Sequence, residues 1–366
     1  MKKIFFLFSI ISLVAVVYSC KKSSNVVGGG TVSLDLPATP YNYFPNSIPD
    51  TIVGSPNNVA TLGRVLFYDT HLSVNNAVSC GSCHKQALAF ADNAALSSGF
   101  QGLPTKRNTI AITDEGGSSS FFWDGRENNI RNLALRPLTN HVEMGIVDST
   151  SLTGKLASLP YYSKLFIAAY GDNNITSTRI SSAIALFMEA ITSDNTRLDQ
   201  FNAGNTSVLT AQELEGKFLF DSKYNCGSCH NNGGGGSSGY GGGSFDSTVF
   251  LDNGLDATYT DFGRGTVTGF STDYGKFKVP DLRNVAVTGP YMHDGRFTTL
   301  DQVLDHYSSG VMKSPNLDSR LMDGQGNPQQ VNIPDGDRQA IIAFLGTLTD
   351  YSMITDPKFS NPFKVN

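Results

Sequence analysis

Two pentapeptides carry most of the chemistry that can be read from this chain: Cys80-Gly81-Ser82-Cys83-His84 and Cys226-Gly227-Ser228-Cys229-His230. Cys-x-x-Cys-His is the attachment signature of a c-type haem: two thiols add to the vinyl groups of the porphyrin, and the adjacent imidazole reaches the iron from one face. Three other readings use the same cysteines: two disulfides in an oxidising compartment, one zinc site of four thiolates, or thioredoxin-like redox pairs. None of them requires a histidine directly after the second cysteine, and here it occurs twice. The spacing therefore predicts two covalent haems, with His84 and His230 as axial ligands.

Elements must hold these motifs, and the approaches to them repeat. Leu62-Gly63-Arg64-Val65-Leu66-Phe67-Tyr68-Asp69 precedes the first, and Glu215-Gly216-Lys217-Phe218-Leu219-Phe220-Asp221 the second. Glycine, a basic residue and then Leu-Phe recur, which indicates an internal duplication of a helical unit. Thr210-Ala211-Gln212-Glu213 is a capping box opening a helix. Apolar periodicity predicts a helix over Ser177–Phe201, through Ile180, Ile184, Phe187 and Ile191, and another over Asp337–Leu348. Leu300, Val303, Leu304 and Tyr307 are spaced i, i+3, i+4, i+7, which puts Tyr307 on the buried stripe of a short helix. His306 is rotated from that stripe by about 100°. Strand signals are sparse, and the low-complexity run Gly233–Gly243 reads as a loop. The fold class is mainly α.

With 366 residues, the chain is long enough for two domains. Charged residues make up 16% and hydrophobic residues 40%, which excludes intrinsic disorder. Lys+Arg 27 against Asp+Glu 32 leaves a formal charge of −5, which excludes a basic nucleic-acid binder. Lys2 and Lys3 precede an apolar run from Ile4 to Val17, shorter than the roughly 20 residues a membrane span needs. This reads as a secretory signal peptide, and Val17-Tyr18-Ser19-Cys20 resembles a bacterial lipoprotein box. Residues 1–19 are then removed, Cys20 is lipidated, and residues 20–45 form a tether. Ordinary cleavage that discards Cys20 is the alternative; either way the protein is exported, to the periplasmic side of a bacterial membrane.

From about Pro49 to Phe363 the chain resembles the bacterial di-haem cytochrome c peroxidase/MauG family. The resemblance rests on Leu62–Asp69, both haem motifs, Arg107-Asn108-Thr109, Phe122-Trp123-Asp124-Gly125-Arg126, Glu143-Met144, Phe277-Lys278-Val279-Pro280, Leu282-Arg283-Asn284, Pro290-Tyr291-Met292-His293-Asp294-Gly295-Arg296 and Asp356–Phe363, in that order. It implies two cytochrome c-like domains with one haem c in each: residues 46–205 peroxidatic, residues 206–350 electron-transferring, and residues 351–366 a tail. The haem of His84 would meet hydrogen peroxide, with Glu143 as proton shuttle and Pro137 shaping the pocket.

Two positions depart from the family's pattern. Where some members carry a distal histidine that caps the first iron, this chain has Phe100, and a glutamine usually near the glutamate is Leu133. The resemblance thus implies an open first haem, active without reductive priming. At the second haem it points to Tyr307, as in MauG, where the peroxidases carry methionine; Met292 and Met312 are the alternatives. Trp123, the only tryptophan, matches the relay between the haems. Asn108, Thr288 and Pro290 match oxygen donors to a calcium ion. His71 and His141 read as structural, and His293 as a hydrogen-bonding group near the second haem. The implied activity is peroxide reduction with a small donor protein, a cytochrome c or a cupredoxin, and a homodimer is the family's frequent state. A MauG-like oxidase acting on a protein or small molecule, and a non-catalytic electron carrier, are the other readings.

Overall fold

Six helices position the motifs: α1 (Pro56–Tyr68), α2 (Ile130–Thr139), α3 (Ser177–Glu189), α4 (Ala211–Phe218), α5 (Leu300–Asp305) and α6 (Asp335–Gly346). They are seen in a computed structural model that describes residues 33–45, 54–230 and 248–364. The signal segment, Cys20, half of the expected tether and the run Gly233–Gly243 lie outside the described residues. From Leu34 onward the chain forms one unit. Among the described residues strand is confined to an antiparallel pair, Phe250–Leu251 with Phe277–Lys278, and isolated bridges. Among the described residues no helix is long and apolar enough to cross a membrane.

Within that unit most of the buried apolar side chains described fall into two clusters, each built on one helix pair. Nearly every residue of α1 from Val59 to Phe67 is buried, because the helix is covered by α3 on one side and by Pro160–Tyr170 on another. The α1–α3 pair anchors the first cluster, and α4–α6 the second. The two pairs cross in the same way. A Cβ on Gly63 would overlap the Ala183 carbonyl oxygen and lie 2.9 Å from Phe187 Cβ; one on Gly216 would overlap the Ala340 carbonyl oxygen and lie 2.9 Å from Phe344 Cβ. Only glycine allows backbones to approach this closely. Around each crossing the aromatics match as well: Phe67–Phe187 centroids are 5.3 Å apart and Phe220–Phe344 5.6 Å. Phe67 meets His84 at 6.4 Å and 50°, and Phe220 meets His230 at 6.5 Å and 50°. The Gly-basic-Leu-Phe repeat is therefore a repeat of packing.

Residues 351–364 return to the first cluster. Met353 and Phe359 are buried in it, the Tyr68 hydroxyl donates to the Phe359 carbonyl at 2.7 Å, and Arg64 Nε donates to the Ser360 carbonyl at 2.6 Å. Leu34 and Phe363 pair as an antiparallel bridge.

Three sequence expectations need correction. The helix predicted over Ser177–Phe201 stops at Glu189 and restarts as Arg197–Asn202. Thr196 and Asp199 form a capping box there, and Asp199 also receives the Arg283 guanidinium, so the local cap overrides the apolar period. The helix expected over Asp337–Leu348 is α6, shifted by two residues, and the Thr210–Glu213 capping box opens α4 as read. α5 gives way after Asp305 to a π-helical turn, His306–Gly310. The wider turn breaks the 3.6-residue register, so His306 is buried rather than turned away, and its Nε2 donates to the Asn253 carbonyl at 3.0 Å.

The crossings yield a stability prediction. Gly63→Ala and Gly216→Ala should each cost about 1–3 kcal/mol through overpacking. Gly154→Ala, in the Ser149–Ala157 helix with nothing within 4 Å of its Cβ, should stabilise by about 0.4–1 kcal/mol. Thermal unfolding followed by circular dichroism distinguishes them; equal midpoints for all three would contradict the crossing argument.

Candidate active site

Each Cys-x-x-Cys-His motif is one helical turn whose histidine is oriented by a backbone carbonyl. Ser79 caps Cys80–Cys83 reciprocally with Ser82, and Gly81 is needed because a Cβ there would enter the Tyr68 ring. Ala89 and Phe90 both adopt left-handed backbone (φ 49° and 60°), which turns the Phe90 carbonyl back to accept from His84 Nδ1 at 2.7 Å. In the second motif His230 Nδ1 donates to the Pro280 carbonyl at 3.2 Å. Burial holds both imidazoles neutral: His84 is pushed below the ordinary histidine range, and His230 to about 4. A neutral ring that donates through Nδ1 keeps the Nε2 lone pair for a metal.

The cysteines discriminate among the four readings. No disulfide joins Cys80, Cys83, Cys226 or Cys229. Among the described residues no three His, Cys, Asp or Glu side chains are gathered to hold a metal ion, so the two pairs do not form one zinc site. Burial pushes the Cys80 and Cys226 thiols up to about 12, the reverse of an activated redox pair. Buried thiols beside a carbonyl-oriented neutral imidazole fit a covalently attached haem.

The distal side of the first motif is built from α2 and the turn after it. Asn129 caps α2 by accepting from the backbone of Arg131 and Asn132, and the helix closes at Asn140. Pro137 lies in its last turn, and Leu133 packs against the first cluster. Glu143 follows in the turn, and its charge is felt by the thiols of both Cys80 and Cys83. Burial raises the Glu143 carboxyl above the ordinary range, opposed by the Arg126 guanidinium, which is stacked 3.6 Å over the Phe122 ring. Asn140 Nδ2 donates to Glu143 Oε1 at 2.9 Å. Phe100 donates its N–H to the Glu143 carbonyl at 3.0 Å, and its ring lies where a side chain on Gly145 would otherwise stand.

At the second motif, two candidate ligands converge. Asn253 Nδ2 lies 3.5 Å from both the Tyr307 hydroxyl and Met292 Sδ. Burial pushes Tyr307 up to about 12, partly offset by Asn253, and Cys226 and Cys229 contribute to the rise. Tyr307 is therefore within electrostatic range of the second pair of cysteines. Met312 is exposed, which removes it from the candidates.

Between the motifs, Trp123 donates its indole N–H to the Asn108 carbonyl at 2.9 Å, and its own carbonyl accepts from the Lys278 N–H at 2.7 Å. The Asn108 N–H in turn reaches the His293 carbonyl at 2.8 Å, while the His293 ring stacks on Phe277 at 3.7 Å. Of the expected calcium donors, buried Asn108 uses Nδ2 on the carbonyls of Ala94 and Ala95, and the Thr288 hydroxyl donates to the Val285 carbonyl. His71 pairs with Asp69 at 2.7 Å, and His141 is exposed.

Sequence reasoning missed Asn140, Asn253 and Arg126, although a second repeat bore on this region. Phe121-Phe122-Trp123-Asp124-Gly125-Arg126-Glu127 and Tyr291-Met292-His293-Asp294-Gly295-Arg296-Phe297 form the same loop. Each closes with a bridge between its ends, and Phe122, Gly125, Met292 and Gly295 all have φ between 64° and 73°. Asn129 and Thr299 then cap α2 and α5 at matching offsets. Fourteen residues on from Trp123 stands Pro137, and fourteen on from His293 stands Tyr307. The two distal positions are thus one position of a duplicated unit.

A family model described as di-haem cytochrome c peroxidase matches residues 57–207. The chain is 31% identical to the methylamine utilization protein MauG of Methylorubrum extorquens, over 83% of this chain and 82% of that one. It is 32% identical to the cytochrome c551 peroxidase of Nitrosomonas europaea, over 69% and 73%. The crystal structure of a MauG-like protein associated with microbial copper homeostasis superposes with a TM-score of 0.74 at 31% identity, covering 87% of this chain and 98% of that one. With two carbonyl-oriented Cys-x-x-Cys-His turns on a duplicated helical scaffold, and with relatives at this identity and coverage, the chain belongs to the di-haem cytochrome c peroxidase and MauG family.

Proposed function

We propose that this protein reduces hydrogen peroxide to water at the first motif, using electrons that a small donor protein, a cytochrome c or a cupredoxin, delivers through the second. The observation that carries the reading is Glu143: a partly desolvated carboxyl within electrostatic reach of Cys80 and Cys83, beside a phenylalanine that cannot ligate iron. When bound, the haem of His84 supplies the iron at which the O–O bond is broken, and the haem of His230 the electrons. The chain's own part is proton handling and positioning. Glu143 takes the proton from one peroxide oxygen and returns it to the other, so that the latter leaves as water. Two electrons and two protons complete the conversion to two waters. Pro137 offers no ligating atom at the position where the second unit has Tyr307. Trp123, hydrogen-bonded to Asn108 and to Lys278, is the relay between the two units.

The same proposal includes the division into residues 46–205 and 206–350, export to the periplasmic side with a lipid on Cys20, and a homodimer. It also includes a calcium ion held by Asn108, Thr288 and Pro290. Asn108 Oδ1 is the donor left once Nδ2 is engaged.

One observation favours a second reading, a MauG-like oxidase acting on a protein or small molecule. The Tyr307 hydroxyl lies within electrostatic range of Cys226 and Cys229, and phenolate ligation stabilises oxidised iron where thioether ligation raises the potential.

Glu143→Gln should slow the bimolecular reaction with peroxide by roughly 10²–10⁴-fold, read by stopped-flow absorbance of the holoprotein. An unchanged rate would remove Glu143 from the mechanism. Because Glu143 must be ionised to accept the proton, the wild-type rate should rise with pH through a carboxyl pKa above the ordinary range. Arg126→Gln should move that limb to higher pH. Tyr307→Phe should change the ferric spectrum of the second haem while Met292→Ala leaves it intact; the opposite pattern would make Met292 the ligand.

A further inference from the structure

We infer that Asn140 is the positioning residue that decides which oxygen of Glu143 carries the shuttled proton, namely Oε2; the inference rests on the proton-shuttle reading of Glu143. The Asn140 amide cannot turn over. Its Oδ1 accepts from the N–H of Val142 at 2.8 Å and of Glu143 at 3.4 Å, so a flipped amide would set N–H against N–H. The residue is also locked through its backbone: its N–H reaches the Pro137 carbonyl at 3.3 Å, and its carbonyl accepts from Met144 at 3.1 Å and Gly145 at 2.8 Å. With the amide fixed, Nδ2 can only donate, and it does so to Oε1 at 2.9 Å.

Oε1 is therefore an acceptor whether the carboxyl is ionised or neutral, and the proton of the neutral acid resides on Oε2. Among the described residues Oε2 has no hydrogen-bond partner, which leaves it to meet a substrate oxygen. The other charged or titratable groups that face the carboxyl are Arg126 and the thiols of Cys80 and Cys83, of which the thiols become thioethers on haem attachment. His141, next but one in the chain, is exposed. A carboxyl free to rotate would spend half its time with the wrong oxygen forward. The amide holds one orientation without adding a charge that would alter the acid's strength.

Asn140→Asp tests this in the holoprotein. The aspartate keeps an oxygen for the Val142 and Glu143 N–H groups, so the turn persists, while the donor to Oε1 is replaced by a carboxylate oxygen. The peroxide rate constant should fall roughly 10- to 100-fold, the cost of a misplaced reacting group. Its pH limb should move upward, because a second carboxylate now faces the first. Asn140→Asp combined with Glu143→Gln should be no slower than Glu143→Gln alone. The infrared carbonyl stretch of protonated Glu143, identified by its loss in Glu143→Gln, should shift to higher wavenumber in Asn140→Asp. If Glu143→Gln is slow while Asn140→Asp reacts at the wild-type rate with an unshifted band, the amide does not position the acid and the inference fails. If Glu143→Gln is itself as fast as wild type, it is the shuttle reading that fails. Should Asn140→Asp not fold, Asn140→Ser gives the same two readouts.

Discussion

Contact between helix backbones, permitted where α1 and α4 carry glycine, fixes the depth at which Phe67 and Phe220 sit and so where His84 and His230 must lie. The same contact sets α3 against α1 and α6 against α4, with Phe187 and Phe344 completing each aromatic wall. The carbonyls of Phe90 and Pro280 then decide which imidazole nitrogen faces a metal. A side chain at either glycine would separate the helices and move the histidine with them.

On this common scaffold the two units differ at matching positions, Pro137 and Tyr307. The loop through Trp123 and the loop through His293 share bridge, turn and helix cap, and each leads directly into a helix. One places a proline at the critical position, the other a tyrosine held beside Asn253. α5 is also relaxed into a π-helical turn there, which buries His306 under Asn253 and Tyr307. A duplicated fold thus carries different side chains at one equivalent position while both helix crossings stay alike.

Much of this was legible in the residues. Cys-x-x-Cys-His is a local signature, the capping box at Thr210 is a local hydrogen-bond pattern, and Gly-basic-Leu-Phe marks a packing repeat, so all three are visible in one sequence. What was not legible depends on contacts between distant segments. The break at residues 190–196 is set by Asp199 binding Arg283, a partner 84 positions away. The π turn has no compositional mark, since His306 is held by the carbonyl of Asn253. Asn140 reads as an ordinary polar residue ending a helix until the carboxyl three positions on is seen to turn back onto its amide.

Residues 351–364 complete the first cluster, whereas the second is assembled from a contiguous stretch, Leu198 to Leu348. Synthesis proceeds from the N-terminus, and domains commonly close in that order. Here the order is inverted. The wall of Met353 and Phe359, and the carbonyls that receive Arg64 and Tyr68, emerge only after the whole second unit has been made. Until then the helix leading to Cys80 has only α3 and the Pro160–Tyr170 helix against it, so the first cluster is the last to be completed although its first residues are made earliest.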